Sequence, residues 1–134
     1  MTRKLKLKAQ LYLGEEIAIG PGKADLLDAI AETGSISAAA RKLGMSYRRG
    51  WLLVDVMNRS WKTPLVETVV GGRSGARLTD LGRQVLAHYR ALETELAALG
   101  EGAAAARLQA LLRRIELQGT PPVLQILHWF LNQG

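Results

Sequence analysis

A chain of 134 residues, 48% of them hydrophobic, carries enough apolar material for one globular domain, or for a small domain with a dimerising extension. It has no cysteine and only two histidines, His88 and His128, which excludes a disulfide framework and thiolate metal sites and leaves too few ligands for a histidine-built zinc site. Eighteen Lys+Arg against twelve Asp+Glu give a net charge of +6, a balance that suits a polyanionic partner without requiring one.

Residues 3–13 alternate, with Leu5, Leu7, Leu11 and Leu13 on one side and Lys4, Lys6, Lys8 and Tyr12 on the other, which predicts a half-buried strand. Its lysines read as protection of a sheet edge. Because the apolar residues alternate and form no continuous run, the segment is expected to be neither a signal peptide nor a membrane span, with a cytoplasmic location as the default. Gly14-Glu15 suits a two-residue turn, and Ile17 and Ile19 resume the alternation until Pro21-Gly22, which completes an amino-terminal hairpin.

From Lys23 the period becomes helical: Leu26, Leu27 and Ile30 share a stripe, and Gly34 stops a first helix spanning about 23–33. Ser35 or Ser37 is placed to cap a second helix, whose Ala38, Ala39 and Ala40 allow close approach and whose end Leu43 anchors before Gly44 turns the chain. Ser46 is placed to cap a third helix, along which Trp51, Val54 and Met57, with Leu53 and Trp61, are expected to pack inward. Alternation returns at Leu65–Val70, breaks at Gly71-Gly72-Arg73-Ser74-Gly75 and closes at Arg77-Leu78, the pattern of a β-hairpin with a glycine-rich basic tip.

Thr79 is a cap for a long helix from Asp80 to about Leu99. In it Val85, Tyr89, Leu92, Leu96 and Leu99 recur at spacings of four, three, four and three, a narrow seam that suits a helix–helix dimer contact, the alternative being that the same stripe packs on its own domain. After Gly100-Glu101-Gly102, Ala103–Leu117 reads as a further helix, and Gly119-Thr120-Pro121-Pro122 breaks it. The apolar stretch from Val123 to Leu131 is too short to cross a bilayer and is expected to cover a core or a partner.

The chemistry concentrates in residues 35–59, two short helices about a tight turn, the layout of a helix-turn-helix that reads duplex DNA. No acidic residue lies between Glu32 and Asp55, whereas Arg41, Lys42, Arg48 and Arg49 all do. Ser46, Tyr47, Arg48 and Arg49 open the third helix, the part that enters the major groove in this motif. The two arginines are the strongest donors to bases or phosphates, and Tyr47 offers a hydroxyl or a ring. Arg41 and Lys42 fit backbone contacts, and Arg73 fits a sugar-phosphate contact from the hairpin tip. The GGRSG segment fails as a nucleotide phosphate loop, because it lacks the GxxxxGK[ST] spacing and begins no βαβ unit. Neither histidine stands at a recognisable spacing from a nucleophile, so no enzymatic activity and no cofactor are expected.

Residues 24 to about 99 resemble the amino-terminal DNA-binding domain of the ModE-type molybdate-responsive transcriptional regulators. The resemblance lies in GSISAAARKLGMSYRRGWLLVDVMN at 34–58 and LVETVVGGRSGARLTDLG at 65–82. It includes the Ser-Tyr-basic helix start, the downstream Trp, the Met-Asn pair, the Gly-Gly-basic-x-Gly wing and the Leu-Thr-x-x-Gly entry to the long helix. LysR-type regulators share a looser version. The resemblance implies a bacterial, homodimeric transcription factor on a palindromic operator, with Ser46, Tyr47, Arg48 and Arg49 at base edges and Arg73 on the wing. Full-length members carry molybdate-binding β-barrel modules, which this sequence is expected to lack, so a separate effector-sensing protein is a possible partner.

The expected fold is mainly α with small β-hairpins: a winged helix-turn-helix at 1–79, then a helical dimerisation and linker region at 80–134 that opens with the long helix. The expected function is sequence-specific transcriptional regulation. Its rivals are an architectural DNA-binding protein without base readout and a winged-helix subunit that docks protein partners.

Overall fold

The computed structural model describes residues 4–70, 75–113 and 122–133. Elements follow in the order β1 (Leu11–Leu13), β2 (Glu16–Ile19), α1 (Pro21–Thr33), α2 (Ile36–Lys42), α3 (Tyr47–Ser60), β3 (Val66–Val69), β4 (Gly75–Leu78), α4 (Asp80–Leu99), α5 (Ala103–Ala110) and α6 (Pro122–Leu131). Leu7–Leu99 form one compact unit, and α5 and α6 belong to another. The long helix α4 falls within the Leu7–Leu99 unit.

The amino-terminal hairpin is shorter than the alternation predicts. β1 pairs antiparallel with β2 only across Leu11–Leu13, with a bulge between Leu11 and Tyr12, and residues 4–10 form no strand. β2 is only four residues long, so the earlier leucines have no partner strand in its sheet. Leu11 and Leu13 are exposed, and the buried residues of the hairpin are Ala18 and Ile19. The Trp61 indole donates to the Ala18 carbonyl at 3.3 Å and ties the hairpin to α3.

Local chemistry sets each helix boundary. Pro21 occupies the first turn of α1, where its missing N–H costs nothing, so the helix begins two residues before Lys23. Gly34 ends it in the left-handed region at φ 70°, donating its N–H to Ile30 O. Of the two candidate caps for α2, Ser35 is the one used: its Oγ accepts from Ala38 N at 3.2 Å. Gly44, also at φ 70°, turns the chain toward α3. Leu43, expected as an anchor, closes the last turn of α2 with its side chain partly open to solvent.

The core gathers Leu26, Leu27 and Ile30 of α1, Ile36 and Ala39 of α2, Val54 and Met57 of α3, and Leu65, Val66 and Leu78 of the second hairpin. α2 and α3 approach closely because Gly50 faces Ala40; a Cβ on Gly50 would sit 3.0 Å from the Ala40 Cβ. β3 and β4 pair in register from Val66↔Leu78 to Val69↔Gly75, which makes the wing. Its tip, with Arg73, lies outside the described residues.

Asn58 joins α3 to the wing. Its Oδ1 accepts from Leu65 N (2.9 Å) and Val66 N (3.0 Å), and its Nδ2 donates to Val66 O (3.0 Å). Asn58→Ala leaves partly buried backbone groups without acceptors or donors, and we expect it to lower unfolding free energy by about 2 kcal/mol, read by urea denaturation. An unchanged midpoint would show that these bonds are replaced by water.

Two members of the expected dimer seam are core residues of their own unit. Val85 and Tyr89 are 7% and 4% exposed and pack within the cluster just described. A four-three spacing marks an apolar stripe without saying whose surface it meets, and here the first half of α4 covers α1 and the wing. The Tyr89 hydroxyl donates to Ala9 O at 2.8 Å; burial, then the Glu93 carboxylate, push its pKa up and keep it a donor. Arg90 bridges the helices, reaching Asp25 at 2.8 Å, Asp28 at 2.5 Å and Glu93 at 2.7 Å. Burial opposes its charge, but the hydrogen bonds to Asp25, Glu93 and Asp28 outweigh burial and raise its pKa further.

α5 ends at Ala110, short of the expected Leu117, and has no buried residue. Leu117 lies outside the described residues. On α6, Ile126, Leu127, Trp129, Phe130 and Leu131 are exposed. Among the described residues no helix is long and apolar enough to cross a membrane.

Candidate nucleic-acid interface

α3 begins at Tyr47 because Ser46 stands before it in extended conformation and its Oγ accepts from Arg49 N at 3.1 Å. The helix turns about 100° per residue, which sorts its side chains by direction. Gly50, Val54 and Met57 are buried, and the opposite line carries Arg48, Leu52, Asp55 and Arg59. Tyr47 and Trp51 lie along one flank of that outward line, and Arg49 along the other.

Ser46, Tyr47, Arg48 and Arg49 are all exposed, as are Arg41 and Lys42 at the end of α2. The structure therefore brings six of the seven expected contact residues onto the helix-turn-helix surface, and the seventh, Arg73, lies outside the described residues. Lys42 is engaged with Glu32 in an exposed ion pair, which is worth little and exchanges readily for another anion.

The arginines of the Leu7–Leu99 unit divide sharply. Arg59 pairs with Asp55, Arg77 with Glu67, Arg83 with Asp80, and Arg90 with Asp25, Asp28 and Glu93. Among the described residues of that unit, the arginines without an ion pair are Arg41, Arg48 and Arg49, all on the helix-turn-helix. An unpaired guanidinium keeps its full charge and its donor fork for a partner.

Trp51, expected in the core, is 38% exposed. Gly50 occupies the place facing α2, so the indole is turned outward and meets the Tyr47 ring edge-on, with centroids 6.1 Å apart. Counting apolar residues alone passes over this, because a glycine that lets two helices touch carries no hydrophobic signal. Leu52, 55% exposed one turn after Arg48, was likewise missed; the helical rotation taken from Arg48 is enough to place it outward.

Residues 23–83 match the family described as bacterial regulatory helix-turn-helix protein, lysR family. The molybdenum transport protein ModE of Azotobacter vinelandii is 45% identical over 80 residues, 58% of this chain and 30% of that protein. The molybdenum-pterin-binding protein MopA of Rhodobacter capsulatus is 42% identical over 98 residues, 69% of this chain and 37% of that protein. The DNA-binding transcriptional dual regulator ModE of Escherichia coli K12 is 36% identical over 81 residues, 59% of this chain and 31% of that protein. The chain thus spans about a third of the length of these relatives. In fold it is similar to CbnR_DBD, solved as a DNA complex, with a TM-score of 0.51 at 23% identity, covering 64% of this chain and 95% of that one.

Proposed function

We propose that the chain, whose residues 23–83 match the lysR-family bacterial regulatory helix-turn-helix, is a sequence-specific regulator of transcription that binds duplex DNA as a homodimer on an inverted repeat. The observation that carries this reading is that, among the described residues of the unit, the arginines without an ion pair all lie on the helix-turn-helix, two of them in the capped first turn of α3. In the major groove, Arg48 on the outward line reaches base edges, and Tyr47 and Arg49 meet the groove walls and phosphates on either side. The N–H groups of the first turn add donors for a phosphate near Ser46. Arg41 and Lys42 hold the DNA backbone, and Arg73 is assigned to the wing contact from its place in the sequence.

The homodimer is assigned to Leu92, Leu96 and Leu99, the part of the seam that the core does not take up. Leu92 is 43% and Leu99 66% exposed, so burying them against a second copy removes apolar surface from water. Leu92→Asp or Leu96→Asp places a charge in that contact, and sedimentation should then show a monomer with lower affinity for an inverted repeat. A dimer that survives both substitutions would refute this seam.

The function is tested by selecting fragments of genomic DNA on the purified protein at about 150 mM salt, where contacts to phosphate alone are weak. A shared inverted repeat supports the reading. Fragments with no common sequence would replace it with architectural DNA binding, and no recovery would leave a protein-docking role.

A further inference from the structure

We propose that Leu52 is a specificity determinant that reads the 5-methyl group of a thymine in the major groove; this rests on the DNA-binding function proposed above. A lone exposed leucine is ordinary on a protein surface, so its 55% exposure does not carry the argument. Its setting does. Leu52 stands four residues after Arg48 on the line of α3 that points away from Gly50, Val54 and Met57. Next on that line comes Asp55, whose carboxylate accepts from Arg59 Nε at 3.0 Å, so the charge that would repel phosphates is compensated. The outward surface therefore presents a free cation, an apolar group and a neutralised pair. Arg48 and Arg49, both exposed and without an ion pair, precede Leu52 on the same helix.

Such a surface fits a polyanion that exposes small apolar groups between its charges. In duplex DNA the thymine methyl is that group, and it lies in the major groove. Four residues of helix rise about 6 Å, close to two base-pair steps of about 3.4 Å. The thymine is therefore expected within two base pairs of the one read by Arg48, once in each half-site.

The test starts from a duplex that the wild-type protein enriches from a random-sequence pool, remade with each thymidine replaced in turn by deoxyuridine, which removes only the methyl. At one position per half-site the wild-type protein should bind about three- to tenfold more weakly, the effect of losing one buried methyl contact. Leu52→Ala, exposed and free of core contacts, should fold normally and bind the thymidine and deoxyuridine duplexes alike at that position. Wild-type indifference to every deoxyuridine overturns the proposal. So does a Leu52→Ala protein that stays as sensitive as wild type, which would move the contact to Tyr47 or Trp51. Failure to enrich any sequence removes the sequence-specific reading and this one together, whereas enrichment without methyl sensitivity removes this one alone.

Discussion

Arg48→Ala should weaken binding to the selected inverted repeat by about 1 to 3 kcal/mol, roughly 5- to 150-fold, and should relax the preference at one base pair of each half-site. The guanidinium lies on the outward line of α3 with no partner of its own, so its removal costs the fold nothing and the whole loss falls on the complex. Arg49, one residue on and turned to the flank, is expected to behave differently. Arg49→Ala should weaken binding to all sequences nearly equally and lower the salt slope by about one counterion. Lysine separates the two roles further: Arg49→Lys keeps the charge that a phosphate needs, whereas Arg48→Lys loses the fork that grips two acceptors on one guanine. Affinity titrations at two or three salt concentrations read both effects. If Arg48→Ala lowered affinity without changing base preference, base readout would have to pass to another residue of α3.

The parts of this fold that were legible in sequence are those set by a local hydrogen bond or a backbone angle. Ser35, Ser46 and Thr79 each cap a helix, and Gly34 and Gly44 take positive φ where the chain must turn. The helix-turn-helix, the wing strands and the extent of α4 follow from them. What was not legible depends on distance along the chain. Residues 4–10 alternate like a strand yet, among the described residues, have no strand to pair with, since β2 is only four residues long. Trp51 is apolar yet exposed because Gly50 takes the place against α2. Val85 and Tyr89 share a stripe with Leu92 and Leu96, and only the position of α1 decides which of them its own domain buries. At the candidate interface, sequence identified the cations; that Arg41, Arg48 and Arg49 lack ion pairs while Arg59, Arg77, Arg83 and Arg90 have them is a property of the folded unit.

Gly82→Ala should be the most damaging small substitution in the unit, lowering unfolding free energy by about 3 kcal/mol and the melting temperature by more than about 10 °C. In an ordinary helical position the same change stabilises by up to about 1 kcal/mol, because alanine is the better helix former. At Gly82 a Cβ would stand 2.2 Å from Leu65 O, a contact no side-chain rotation can relieve. The carbonyl has little freedom to move. It accepts from Thr79 N at 2.9 Å, its residue's N–H is held by Asn58, and the Leu65 side chain is fully buried. Thr79 in turn accepts from Gly82 N at 3.0 Å, so displacing α4 to make room breaks its own cap. Leu65 is thus the point where α3, the wing and α4 are fastened together, and the methyl would force them apart. Gly22→Ala supplies the control: it adds the same atom in the first turn of α1 with nothing within 4 Å, and should leave stability unchanged or slightly raised. Because the clash loosens the mounting of α3 as well as the core, Gly82→Ala should also lose affinity for the inverted repeat, although Gly82 carries no group that could touch DNA. Equal melting temperatures for the two variants would show that the Leu65 carbonyl yields, and that α4 is held to the wing more loosely than these hydrogen bonds imply.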